Sequence, residues 1–260
     1  MEIGYSLAGA IVGFLVGMTG VGGGSLMAPI LILGFGFSPA LAVGTDLWFA
    51  TITKSVGGLM HRHFGAPDWK VISRLALGSI PAALLTVAWL GLLQGGKLEP
   101  TILLRLLGGA LVVTAMFMPL KRRLHVPLIR LRDRLGTGLR RRQLAATILA
   151  GAVVGCLVTL TSVGAGAIVA VLLMILYPLR LSTRAIVGTD ILHAIPLALV
   201  AALGHSWLGN VNWSLLAWLL LGSIPGIILG SLVAGRFSEV WVRYSLAGML
   251  VFSGVKMLTS

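Results

Sequence analysis

The sequence predicts an all-α, polytopic membrane protein of two pseudo-symmetric repeats, each a short broken or re-entrant helix pair followed by three transmembrane helices. Three observations carry this. Of 260 residues, 57% are hydrophobic and only 10% charged, with mean hydropathy +1.01, so the chain lacks the polar surface a water-soluble globule needs. The stretch Val43 to Pro81 returns 144 residues later as Val187 to Pro225, with identity at 16 of 39 positions that include Val-Gly-Thr-Asp and Leu-Gly-Ser-Ile-Pro. Both copies open with a carboxylate in apolar sequence, Asp46 and Asp190, the pattern of a transporter with two related half-sites.

The elements follow in order. Residues 3–18 and 25–36 form the first short pair, reaching only about 24 and 18 Å against a hydrocarbon core of about 30 Å. Spans follow at 47–60, 71–93 and 101–118. The second half repeats the scheme, with a short pair at 144–158 and 167–178 and spans at 184–204, 213–234 and 240–258. Helix starts are marked by a capping side chain or a proline at Ser38-Pro39, Asp68-Trp69, Leu98-Glu99-Pro100, Ser182-Thr183, Asn212-Trp213 and Ser238-Glu239. Pro81 and Pro225 fall inside spans at equivalent positions, where kinks are expected. The organisation is therefore repeat 1 over 1–120, a basic linker over 121–142 and repeat 2 over 143–260.

Charge sets the expected orientation. The formal charge is +13, and nine basic residues lie between Lys121 and Arg142: Lys121, Arg122, Arg123, Arg130, Arg132, Arg134, Arg140, Arg141 and Arg142. Such a cluster between hydrophobic spans marks a cytoplasmic loop and argues against nucleic acid as a partner. With 121–142 inside, a hairpin at 144–178 that returns to its own side also places Arg180, Arg184, Arg236 and Arg243 in the cytoplasm, whereas a single broken crossing would put all four outside. Each half then crosses an odd number of times, which inverts one repeat relative to the other. Four conventional spans per half in parallel repeats is the competing reading. The start of the chain has Glu2 and no Lys or Arg before Lys54, so it is read as mature structure without a secretory signal. The one cysteine, Cys156, excludes an intramolecular disulfide and reads as a packing residue.

The residues able to hold a ligand gather at the two hairpin tips. Thr19-Gly20-Val21-Gly22-Gly23-Gly24-Ser25 lets the backbone turn sharply and approach a ligand just where a helix begins, so free N–H groups and the positive dipole end face the tip. Its counterpart is Thr161-Ser162-Val163-Gly164-Ala165-Gly166-Ala167. Two such tips near the midplane, with hydroxyls from Thr19, Ser25, Thr161 and Ser162, would bind a small oxyanion. Close helix packing is the competing explanation, and it is preferred for Gly13, Gly17, Gly151 and Gly155. No Gly-Lys-Ser/Thr follows the first tip and no strand precedes it, which removes the nucleotide motifs and any expected cofactor.

Asp46 and Asp190 are candidates for proton coupling or gating, with dipole stabilisation as the alternative. Lys54 lies two turns beyond Asp46 and could offer positive charge to an anion or merely neutralise Asp46. His193 follows Asp190 by three on one helix face and could exchange protons with it or simply be oriented by it. His61 and His205 read as interfacial, Trp69 and Trp213 as boundary anchors, and Trp48 as packing or a vestibule wall.

With these residues the chain resembles the sulfite exporter TauE/SafE family, also called the toluene sulfonate uptake permease family. The resemblance covers nearly the whole chain and rests on the duplication, the Gly-rich segment after the first short helix, and Gly44-Thr45-Asp46, Thr53-Lys54, His61-Arg62-His63, Gly65, Gly188-Thr189-Asp190, Gly204-His205 and Gly209-Asn210. It implies an inner-membrane permease for small sulfur-containing anions such as sulfite or organosulfonates. This chain carries Asp where many members have Ser after Gly-Thr, which bears on substrate and coupling.

The expected function is secondary active transport of such an anion, proton-coupled and by alternating access, with no enzyme activity and no metal. An intramembrane enzyme such as a lipid phosphatase and a passive anion channel are the alternatives. Expected partners are the anion and the lipid bilayer, and the sequence leaves a homodimer open.

Overall fold

The structure, a computed structural model, describes residues 2–19, 24–60, 67–93, 99–164, 166–177, 180–233 and 239–259. All regular elements among them are helical: α1 (Glu2–Thr19), α2 (Gly24–Pro29) running into a wide π turn (Ile30–Gly34), α3 (Pro39–Met60), α4 (Trp69–Leu93), α5 (Pro100–Thr161), α6 (Ala167–Leu176), α7 (Thr183–Trp207), α8 (Trp213–Val233) and α9 (Glu239–Thr259). The six starts expected from capping residues and prolines are where α3, α4, α5, α7, α8 and α9 begin. Three of the caps are made by the side chains named: Asp68 accepts from the N–H of Val71, Ser182 from that of Ala185 and Asn212 from that of Leu215. Pro29 has no N–H to give α2, and the wider turn that follows absorbs the gap.

Among the described residues, five helical stretches are long and apolar enough to cross a membrane: Trp69–Leu92, Pro100–Met118, Gln143–Thr161, Ala185–Trp207 and Trp213–Val233. Leu77, Leu84, Leu85 and Leu92 of α4 and Leu229 and Leu232 of α8 are exposed, which suits helices solvated by lipid. α3 is as long as these but is interrupted by Asp46 and Lys54.

Both short pairs fold back on themselves. Tyr5 near the start of α1 stacks edge-on against Phe35, just past the π turn, with ring centroids 4.9 Å apart. In the second half Gln143 donates to the Leu176 carbonyl, and Thr147 shares a hydrogen bond with Tyr177 at 2.9 Å, so the end of α6 lies beside the start of the arm that precedes it. The first arms are longer than the sequence suggested, with α1 at 18 residues and Gln143–Thr161 at 19. Polar residues at their ends, Thr19, Gln143, Thr159 and Thr161, lower local hydropathy without ending the helix. The second arms stay short, with α6 at 10 residues, about 15 Å, which is half a crossing.

The basic stretch 121–142 continues α5 as helix rather than forming a loop, in keeping with its many Leu and Arg residues. α5 is not a straight rod. Leu103 packs with Leu90, while Gly151 packs on Leu75. Those partners are about 23 Å apart along α4, whereas a straight α5 would separate Leu103 from Gly151 by about 72 Å. The path therefore doubles back between the two apolar ends.

Packing between the halves comes in matched pairs. Gly9, Gly13 and Gly17 of α1 lie against the backbone of Leu219, Ser223 and Ile227 of α8, and a Cβ on Gly13 would stand 2.4 Å from the Ser223 carbonyl. Gly151 and Gly155 of α5 lie in the same way against Leu75 and Ser79 of α4, with a Cβ on Gly155 2.3 Å from the Ser79 carbonyl. The glycines read from sequence as packing residues are packing residues, letting parallel helices approach at backbone distance. The N–H of Asn212 donates to Thr45 Oγ1 at 3.1 Å, and that of Asp68 to Thr189 Oγ1 at 3.1 Å. α3 and α7 are antiparallel, since Gly44 meets His205 and Asn210 while Gly58 meets Ile191.

Candidate functional site

Asp46 and Asp190 each lie about two turns inside their helices, about 10 Å from the start. That is beyond the first turn, where a carboxylate serves the helix dipole. Asp46 and His193 are fully buried, and Lys54 and Asp190 are each only 7% exposed. An ionisable cluster at such depth needs compensation from within the protein or from a ligand.

The second hairpin tip turns through Ser162, which ends α5 in the left-handed region at φ 57°, followed by Gly164 at φ 120° and Gly166 at φ 124°. Thr161 is spent holding this turn: its hydroxyl donates to the Leu157 carbonyl at 2.6 Å and accepts from the N–H of Val163 at 3.2 Å. Ser162 is the residue of the tip that faces a charge. The Asp46 carboxylate looks toward the Ser162 hydroxyl, the Lys54 ammonium and the N–H of Ala28 in α2. Neither Asp46 oxygen, nor Ser162 Oγ, has a hydrogen-bond partner of proper geometry among the described residues. α3 thus places its carboxylate between the tip of one hairpin and the short arm of the other.

Lys54 sits within electrostatic reach of both Asp46 and Asp190, and of His193. His193 Nε2 shares a hydrogen bond with Ser79 Oγ of α4 at 2.8 Å, while its Nδ1 is buried without a partner among the described residues. The result is one buried cation between two carboxylates from different repeats, with a histidine and two hydroxyls alongside. It offers a point charge and rotatable donors to an oxyanion, and carboxylates able to take protons.

Of the residues singled out from sequence, Asp46, Lys54, Ser162, Asp190 and His193 converge, and Gly164 and Gly166 supply the turn. Ser25 is 9% exposed in the first turn of α2. Thr19 and Gly24 end α1 and begin α2, whereas Gly20, Val21, Gly22 and Gly23 lie outside the described residues, as does His61. His205 is enclosed by the protein: it is 3% exposed, and Nε2 donates to the Thr159 carbonyl at 2.9 Å, near the end of α5. Trp48 donates to Ser206 at 2.8 Å and rests 5.5 Å from the ring of Trp213. Ser79 was not singled out as a ligand-facing residue, although its place in the duplicated Leu-Gly-Ser-Ile-Pro was a signal. The Ala28 N–H is backbone and left none. Among the described residues no group of three or more His, Cys, Asp or Glu could hold a metal.

The family profile for sulfite exporter TauE/SafE matches residues 5–257, nearly the whole chain. The chain belongs to the sulfite exporter TauE/SafE family. It is 38% identical over 259 residues to Probable membrane transporter protein YjnA of Bacillus subtilis, covering 99% of this chain and 100% of that one. Probable membrane transporter protein MJ0441 of Methanocaldococcus jannaschii is 27% identical over 263 residues, covering 97% and 93%. YdhB of Bacillus subtilis, also a probable membrane transporter by name, is 26% identical over 251 residues, covering 93% and 96%. No solved structure matches. This TauE/SafE protein is therefore a multi-pass membrane protein of a transporter family.

Proposed function

We propose that this TauE/SafE protein is a secondary active transporter of a small sulfur-containing oxyanion, sulfite or an organosulfonate, coupled to protons. The observation that carries the reading is the Asp46–Lys54–Asp190 array, buried where two broken helix pairs meet and shared between the repeats. If all three groups are ionised the array has one net negative charge, so an entering anion raises the electrostatic cost unless a carboxylate takes up a proton. Coupling follows from that charge balance.

Alternating access is carried by repeats 1–120 and 143–260 in inverted orientation, joined by 121–142 on the cytoplasmic side of the inner membrane. The antiparallel course of α3 and α7 and the exchanged threonine hydrogen bonds support this, since equivalent helices run oppositely when the two-fold axis lies in the membrane plane. Nothing among the described residues favours a lipid phosphatase or a channel. Accumulation of labelled sulfite or methanesulfonate in proteoliposomes under an imposed pH difference tests the reading; no accumulation of either with either polarity of the gradient defeats it.

A further inference from the structure

Asp68 ties three elements together at one face of the molecule. Its Oδ1 accepts from the N–H groups of Lys70 and Val71 at 3.1 and 3.2 Å, which caps α4, and its own N–H donates to Thr189 Oγ1, one residue from Asp190. Arg180, between α6 and α7, completes the knot with a two-pronged contact, Nε to Oδ2 at 2.6 Å and Nη2 to Oδ1 at 3.0 Å. The other half shows what the fold requires. There Asn212 makes the same backbone bond to Thr45 and the same cap, to Leu215 at 3.0 Å, while the position equivalent to Arg180 is Gly36. The ion pair is extra, and with 43% of the Arg180 side chain exposed it is too well solvated to serve chiefly as a stability element.

A cavity of about 290 Å³ opens beside the pair, lined by Asp68, Trp69, Lys70, Arg180 and Leu181 among others. Lys70 makes no ion pair among the described residues. Two cations facing one carboxylate leave a positive surplus, and the Arg180 fork matches two oxygens of a sulfonate as well as it matches Asp68. Trp69 and Leu181 add an apolar wall that a bare sulfite would leave unused. We infer that this cavity is a second anion site at the mouth of the pathway, where a small organosulfonate takes Arg180 from Asp68 and loosens α4 from the α6–α7 connection. The inference rests on the transport reading above.

Methanesulfonate binding to the purified protein by calorimetry, paired with its uptake into proteoliposomes, tests it through two variants of opposite effect. Arg180→Gln removes the guanidinium donor and weakens binding about tenfold or more. Asp68→Asn keeps the cap, as Asn212 does, removes the competitor and tightens binding about two- to fivefold. Arg180→Lys, which keeps the charge and loses the fork, falls between wild type and Arg180→Gln and guards against misfolding of the latter. Equal affinity in all variants, shifts of Asp68→Asn and Arg180→Gln in the same direction as for a mere structural tie, or no binding by the wild type overturns the site. Opposite shifts in binding with no uptake by any variant leave the site standing and remove the transport reading instead.

Discussion

The ammonium of Lys54, on α3 of the first repeat, lies within electrostatic reach of the Asp190 carboxylate on α7 of the second. Lys54 has no counterpart there, since the equivalent position is Ala198. One lysine therefore answers for two carboxylates. Lys54→Met removes the positive charge that both carboxylates share and is expected to abolish uptake and to destabilise the protein by about 3–5 kcal/mol, read as a loss of thermal stability in detergent. Adding Asp190→Asn should recover much of the stability and none of the uptake. A Lys54→Met protein as stable as wild type would mean the lysine compensates neither acid.

Proton coupling has its own signature. With a protonophore present, accumulation of labelled anion by the wild type should fall to equilibration. Asp46→Asn and Asp190→Asn remove the candidate proton carriers, and at least one should equilibrate the anion without responding to an imposed pH difference. Unaltered gradient-driven accumulation in both variants would exclude these carboxylates as the coupling groups.

Gly155 and Gly109 lie on the same helix in opposite circumstances. A Cβ at Gly155 meets the Ser79 carbonyl, whereas one at Gly109 meets nothing within 4 Å. Gly155→Ala must push α5 away from α4, beside Ser79 and its histidine partner, at a cost of about 1–3 kcal/mol. Gly109→Ala should be neutral or slightly stabilising through helix propensity. Thermal unfolding of the two variants side by side gives the comparison.

Much of this was legible in the sequence because single residues with strong local preferences carried it. Pro39, Asp68, Pro100, Ser182 and Asn212 each stand at or just before a helix start, and the duplicated Gly-Thr-Asp pointed to both buried acids. What was misread depended on three-dimensional context. Hydropathy ended the first arms early, because Thr19, Thr159 and Thr161 at their ends lower the signal without ending the helix. That His205 is enclosed was not legible from its place near a turn, because its acceptor, the Thr159 carbonyl, lies 46 positions away. Ser162 and Thr161 looked alike as hydroxyls; only the left-handed backbone at Ser162 separates the one facing Asp46 from the one closing the turn.

Ser162 offers a test in which stability and activity part company. A serine at φ 57° carries steric strain that glycine lacks, so Ser162→Gly is expected to stabilise by about 1 kcal/mol. Ser162→Ala keeps the strain. Both lose the hydroxyl facing Asp46, and both should reduce uptake. Full activity in the stabilised glycine variant would show that the hydroxyl has no part in binding.

The relative orientation of the halves is open to direct measurement. Single cysteines replacing Pro67 and Val211, equivalent positions beside the exchanged threonine bonds, should react with a membrane-impermeant maleimide from opposite faces. Reaction of both from one face would contradict inverted repeats.

The glycine seam between α1 and α8 has a consequence for biogenesis. α1 leaves the ribosome some two hundred residues ahead of its partner backbone at Leu219 to Ile227. Until then the nascent chain holds a helix whose tightest neighbour does not exist, so the α1 seam cannot close before α8 has been made.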